Sequence, residues 1–142
     1  MLRSFFNKKK FSAVLLSIVF VFITAIPSAN AYTTGTCATL TTCYTAAFTS
    51  SDSFVQTQAV YLTQGQGYQF GFYNNGSVHN MALGIYRYPD YTLVVGPKGI
   101  LYNETGNLNF YGQAPSDGYY YARVQCGGSG QVGCSGYAWI AK

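Results

Sequence analysis

Asp117-Gly118-Tyr119-Tyr120-Tyr121-Ala122-Arg123-Val124-Gln125-Cys126 is the stretch that decides how this chain folds. Its Asp-Gly opening is turn chemistry, because glycine supplies the positive φ that a tight turn often needs. Aromatic and β-forming side chains follow, and a cysteine closes the run. Strand alternation sends Tyr120, Ala122 and Val124 to one face and Tyr119, Tyr121 and Arg123 to the other. The first set suits a core, and the second suits a wet but aromatic surface. The stretch reads as a central strand of an all-β domain.

The same turn-then-alternation grammar recurs on the N-terminal side. Residues 43–49 and 54–62 place Tyr44, Phe48, Val55, Val60 and Tyr61 among threonines and glutamines, which suits strands. After a Gln-Gly-Gln-Gly turn at 64–67, Tyr68, Phe70 and Phe72 alternate with Gln69, Gly71 and Tyr73. Asn74-Asn75-Gly76-Ser77 marks the next reversal, since Asn-Gly favours tight hairpins. Met81, Leu83 and Ile85 form another inward set, ending at Pro89-Asp90. Residues 92–95 read as a short strand before a Gly-Pro-Lys-Gly turn, and Leu108 and Phe110 as the next inward pair. Beyond the organising strand, Gly127-Gly128-Ser129-Gly130 returns the chain into residues 137–141, with Tyr137 and Trp139 on one face. Eight or nine short strands with no sustained helical period predict an antiparallel β-sandwich or jelly roll. The alternation places Tyr120, Val124, Phe70, Leu83, Phe110 and Trp139 in one core.

The first thirty-one residues carry a different signal. Arg3, Lys8, Lys9 and Lys10 precede an apolar run at 11–26, and Ala29-Asn30-Ala31 supplies a small-x-small site. This is the pattern of a secretory signal peptide cleaved after Ala31. The apolar run falls short of the roughly 20 residues that span a bilayer. Residues 32–142 then form a single domain, secreted and with no membrane role after cleavage.

Cleavage changes the charge argument. The whole chain has a formal net charge of +4, but the leader holds Arg3 and three lysines and no acid. The remainder balances Arg87, Lys98, Arg123 and Lys142 against Asp52, Asp90, Glu104 and Asp117. A neutral domain gives no footprint for nucleic acid or for an anionic membrane.

All four cysteines, Cys37, Cys43, Cys126 and Cys134, follow the leader. In an exported chain an even count predicts two disulfides. Of three possible connectivities, sequence proximity favours Cys37–Cys43 and Cys126–Cys134, the second closed by a hairpin. Their spacing is not that of zinc ligands, and His79 is the only histidine, so no metal is expected.

The phrases resemble the bacterial pre-peptidase C-terminal domain over roughly residues 52–140. Val60-Tyr61-Leu62-Thr63-Gln64-Gly65-Gln66-Gly67-Tyr68-Gln69-Phe70 is similar to that family's strand, turn and Tyr-x-Phe strand. Leu83-Gly84-Ile85-Tyr86 resembles its Leu-x-Leu-Tyr strand. The passage from Phe110 through Ala114-Pro115 to Gly118-Tyr119-Tyr120-Tyr121-Ala122-Arg123-Val124 resembles its Phe, Ala-Pro, Gly-x-Tyr-Tyr-x-x-Val series. The resemblance implies an extracellular jelly-roll-like sandwich with an accessory or binding role and no reaction. Only Asp52 precedes Phe54 where family members often carry paired aspartates, so no calcium site or other cofactor is carried over.

Catalytic chemistry finds little footing. No Gly-x-Ser-x-Gly elbow accompanies His79. A glycosidase needs two carboxylates at a defined separation, whereas Asp90, Glu104 and Asp117 read as turn or loop residues; only Asp52 lacks so direct an explanation, a turn cap beside Ser51 being one reading. No catalytic residue is assigned.

Tyrosine is the unusual feature: all fourteen follow the leader. Alternation leaves Tyr73, Tyr86, Tyr88, Tyr119 and Tyr121 on outer faces. The expected ligand-binding set is Tyr86, Tyr88, Tyr119, Tyr121 and Arg123, a phenolic platform for stacking on sugar rings or on a protein surface. The competing reading is that tyrosine simply suits strands, or that this face packs on the second sheet. The expected function is a secreted, non-catalytic module that binds an extracellular glycan or protein. A secreted toxin or antimicrobial protein is the alternative, and a small extracellular hydrolase the third.

Overall fold

The computed structural model describes residues 42–142. The expected leader, its cleavage site and Cys37 lie outside the described residues.

Among the described residues, nine strands form two antiparallel sheets: β1 (Cys43–Ala47), β2 (Phe54–Gln56), β3 (Val60–Leu62), β4 (Gly67–Asn74), β5 (Met81–Tyr88), β6 (Thr92–Ile100), β7 (Gly106–Gln113), β8 (Gly118–Cys126) and β9 (Gly136–Ala141). One sheet has the order β1-β9-β4-β7. In the other, β8 lies between β5 and the short strands β2 and β3, and β6 closes the far edge. The organising stretch is thus an interior strand, as its alternation predicts. The described residues form a β-sandwich.

The core follows the inward faces. Tyr120, Ala122 and Val124 of β8 meet Leu83 and Ile85 of β5 and Phe70 and Phe72 of β4, all fully buried. Phe110 packs at the margin of this cluster and is only partly buried.

Trp139 corrects the expected core. It is fully buried, but it clusters with Tyr137 and Ala141 on the opposite face of β9 from Ala138 and Ile140. Its ring lies over Gly71 of β4, where an added Cβ would approach it within 2.8 Å. Here glycine lets a large ring approach the neighbouring backbone closely. All five residues from Tyr137 to Ala141 are buried, so alternation alone could not say which set entered the main core.

Three connections also differ from expectation. Residues 54–62 form two strands, because residues 57–59 stand opposite only Tyr121 and Ala122 of β8 and the ladder is interrupted after Thr57. The Thr57 backbone N–H donates to the Ala122 carbonyl at 2.9 Å, and its Oγ1 accepts from the Ala122 N–H at 3.1 Å. Asn74-Asn75-Gly76-Ser77 carries the chain from one sheet to the other instead of forming a hairpin. The buried Asn74 amide holds that crossing, accepting from Ser77 N–H and donating to the Leu101 and Glu104 carbonyls. Finally, β6 continues through the Gly96-Pro97 turn signal, with register shifts against β5. An edge strand tolerates a proline because its outward side has no ladder bond to lose.

The Cys126–Cys134 disulfide is present, with Cα atoms 5.7 Å apart. It closes a crossing between sheets, not a hairpin, since β8 and β9 belong to different sheets. Cys43 is also disulfide-bonded.

Candidate functional site

Antiparallel register turns separate tyrosines into rows. On the outer face of the β8 sheet, Tyr119 stands opposite Tyr61 of β3 on one side and Tyr88 of β5 on the other. Tyr121 pairs with Tyr86, which in turn pairs with Leu93 of β6. Arg123 pairs with Gln56 and with Gly84. The five expected ligand-contacting residues, Tyr86, Tyr88, Tyr119, Tyr121 and Arg123, therefore share one face. The second sheet packs on the other side of β8, against Tyr120, Ala122 and Val124, so inter-sheet packing does not account for these tyrosines.

The rings touch across strands. Tyr61 and Tyr119 meet edge to face with centroids 5.2 Å apart, while Tyr86 and Tyr121 stack at 5.7 Å. Gly84 makes room for that layer, since a Cβ there would meet Leu93 at 2.8 Å and the Tyr86 ring at 3.0 Å.

Exposure separates the members. Tyr61, Tyr88, Tyr91 and Tyr119 are 44%, 50%, 59% and 51% exposed, whereas Tyr121 is only 3% exposed. Tyr121 belongs to the outer face but is covered, with Tyr86 stacked beside it and Tyr91 edge-on at 6.4 Å. It is the floor of the aromatic layer, not its surface. Burial raises its phenol pKa, Arg123 opposes the rise, and the Tyr91 and Tyr86 phenols add to it. Its hydroxyl has no hydrogen-bond partner among the described residues.

Tyr61, Tyr91 and Phe54 were missing from the expected set. Tyr61 was legible, since Val60 and Leu62 flank it as inward residues. Tyr91 was not: it stands in the β5–β6 connection at φ 56° and bridges Tyr88 (5.8 Å) and Tyr121. A turn residue has no periodicity that would reveal where its ring goes.

The face carries little unpaired charge. The Arg123 guanidinium lies 4.1 Å from the Phe54 ring centroid, a cation–π contact. Arg87 is paired with Asp90 at 2.5 Å and donates to Ser116 Oγ at 3.0 Å. The guanidinium's hydrogen bond holds the Asp90 carboxyl down at about 2.

Beside the rows, β2 and β3 separate and open a cleft of about 330 Å³, lined by Gln56, Thr57, Gln58, Tyr88, Tyr91 and Tyr121 among others. The strand break described above therefore lies at the edge of the aromatic face.

The remaining candidates for chemistry are tied into turns. Asp52 accepts from Thr49, Asp117 from the Gln64 N–H at 2.7 Å, and Glu104 from the Leu101 N–H at 2.8 Å. His79 borders a separate shallow cleft with Asn80, Tyr102 and Gly128. No group of three or more His, Cys, Asp or Glu side chains with metal-holding geometry occurs among the described residues. Comparison with protein families, curated proteins and solved structures returns no match for this chain.

Proposed function

We propose that this protein is an exported, non-catalytic binding module whose tyrosine face holds an extracellular glycan. One observation carries the reading: register brings Tyr61, Tyr88 and Tyr119 from three strands into a single exposed row, with Tyr91 beside it. Phenol rings offer flat apolar surface for the C–H faces of sugars, and their hydroxyls can contact the ring substituents. Few rotatable bonds are immobilised when such side chains bind. Single-stranded nucleic acid also stacks on aromatic rows, but it needs a positive groove. Here Arg123 lies over Phe54 and Arg87 is paired with Asp90. The extracellular setting comes from the leader-like N-terminus. The accessory role implied by the resemblance to pre-peptidase C-terminal domains belongs to the same proposal.

The test is retention on insoluble cellulose, chitin and bacterial cell wall. Tyr88→Ala with Tyr119→Ala should lower retention at least about tenfold, the effect of losing two stacked rings worth about 1 kcal/mol each. The melting temperature should stay near that of wild type, because both rings are half exposed. Tyr121 is unsuitable for this test, since removing a buried ring would confound binding with folding. Undiminished retention in the double variant, or no retention of any polymer by wild type, would overturn the proposal.

A further inference from the structure

We infer that the cleft at the β2–β3 break is a subsite for one uncharged pyranose unit. This inference rests on the glycan reading of the tyrosine face and adds a place and a selectivity to it. Three features of the cleft converge on that ligand class.

The first is the wall composition. Tyr88, Tyr91 and Tyr121 supply aromatic surface, while Gln56 at the end of β2 and Gln58 in the β2–β3 break also line the cleft. Both glutamines are exposed, and neither side-chain amide is hydrogen-bonded to another described residue. A primary amide presents two donors and a carbonyl acceptor in one plane. Adjacent sugar hydroxyls, each a donor and an acceptor, match that set without requiring charge.

The second is the Tyr121 hydroxyl. It is buried and lacks a partner among the described residues, although Tyr121 is one of the residues lining the cleft. Buried polar groups are ordinarily satisfied, so such an orphan calls for an explanation. A ligand hydroxyl reaching it past the Tyr91 ring would supply the missing bond.

The third is charge. Among the described residues, no ionisable acid or base other than the three phenols lines the cleft, and Thr45, Thr57 and Ala59 are its other lining members. A uronate or phosphate drawn into this site would lose hydration without meeting a cation in the lining, Arg123 acting on Tyr121 only from outside it, which is costly. A protonated amine would meet no carboxylate. The volume, about 330 Å³, falls at the small end of the 300–1,000 Å³ or so typical of ligand pockets. That is compatible with a single ring, leaving the rest of a polymer to run over Tyr61 and Tyr119.

The deciding experiment titrates the isotope-labelled secreted chain with cellohexaose, maltohexaose and hexagalacturonate while following the Gln56 and Gln58 side-chain amide resonances. At least one neutral hexamer should shift both resonances saturably, and hexagalacturonate should not. Gln56→Ala with Gln58→Ala should weaken the neutral hexamer about tenfold or more, as expected for losing two hydrogen bonds of about 1 kcal/mol each. Polymer retention should weaken but not vanish in that variant, because Tyr61 and Tyr119 lie outside the cleft, and its melting curve should match wild type. If the polymer is retained but both amide resonances stay still, or the glutamine variant binds the hexamers as wild type does, the cleft inference fails and the tyrosine-face reading stands. Equal or tighter binding of hexagalacturonate overturns the stated selectivity. Absence of both polymer retention and hexamer binding overturns the two readings together.

Discussion

Tyr68 shows how a single side chain can be well packed and still poorly satisfied. Its ring stacks on Tyr120 with centroids 6.3 Å apart, and its hydroxyl lies against Gly112, where an added Cβ would come within 2.6 Å. Tyr120 donates its own hydroxyl to the Ser116 carbonyl at 2.7 Å, whereas the Tyr68 hydroxyl has no partner among the described residues. Burial, with a smaller contribution from Tyr120, pushes the Tyr68 phenol up to about 12. Tyr68→Phe removes an unsatisfied buried hydroxyl while keeping the ring, so it should stabilise the fold at neutral pH by about 1 kcal/mol. The pH sign follows from the raised value. The folded state favours the protonated phenol, so that preference is fully present below the ordinary tyrosine pKa of about 10. It is lost as pH rises through about 12. The Phe variant should therefore gain further on wild type between pH 10 and 12. Thermal melts at pH 7 and pH 11 check both statements. A Phe variant destabilised at pH 7 would show that the hydroxyl is satisfied in solution.

At the scale of elements, the break between β2 and β3 is the feature that creates the cleft. Thr57 makes that break structurally sound: its side chain accepts the Ala122 N–H that a continuous edge strand would otherwise have bonded. Thr57→Val keeps the shape but removes the acceptor, leaving a buried amide of a central strand unpaired. The expected loss is about 1–3 kcal/mol, read from denaturant or thermal unfolding, with Thr57→Ser recovering much of it. If Thr57→Val melts like wild type, the side-chain bond is dispensable. Residues 54–62 look like one strand because both halves contain β-favouring residues. Thr57 and Gln58 are compatible with continuing it, and only the partner strand shows that the chain steps aside there.

For the molecule as a whole, most connections pass between sheets, and β5–β6 is the one directly paired pair of consecutive strands among the described residues. Stability therefore depends on pairing strands distant in sequence, with β8 receiving β2, β3 and β5. The Cys126–Cys134 bond constrains the crossing from β8 to β9, the two strands that join the middle of each sheet. Replacing both cysteines with serine should cost about 2–3 kcal/mol, the chain-entropy expectation for so short a loop. A lowered melting temperature with an unchanged strand signature in circular dichroism is the expected result. An unchanged melting temperature would mean that the crossing is held well enough by the Ser77 and Asn75 bonds to Ser135.

Period-two alternation determined the all-β class, the inward set of β8 and the outward tyrosines, because these depend only on local backbone geometry. Turn signals did not fix the connections, since Asn74 to Ser77 crosses between sheets and β6 runs through Gly96-Pro97. Cysteine proximity was enough to indicate Cys126–Cys134. The tertiary structure decided which strands became neighbours, and with that the candidate site itself. Tyr61, Tyr88 and Tyr119 are far apart along the chain, and only antiparallel register across β3, β8 and β5 makes them one row. It also decided that Tyr121 is covered and that Trp139 belongs to a second cluster. Alternation assigns a side chain to a face of its strand, but burial depends on what else the fold brings to that face.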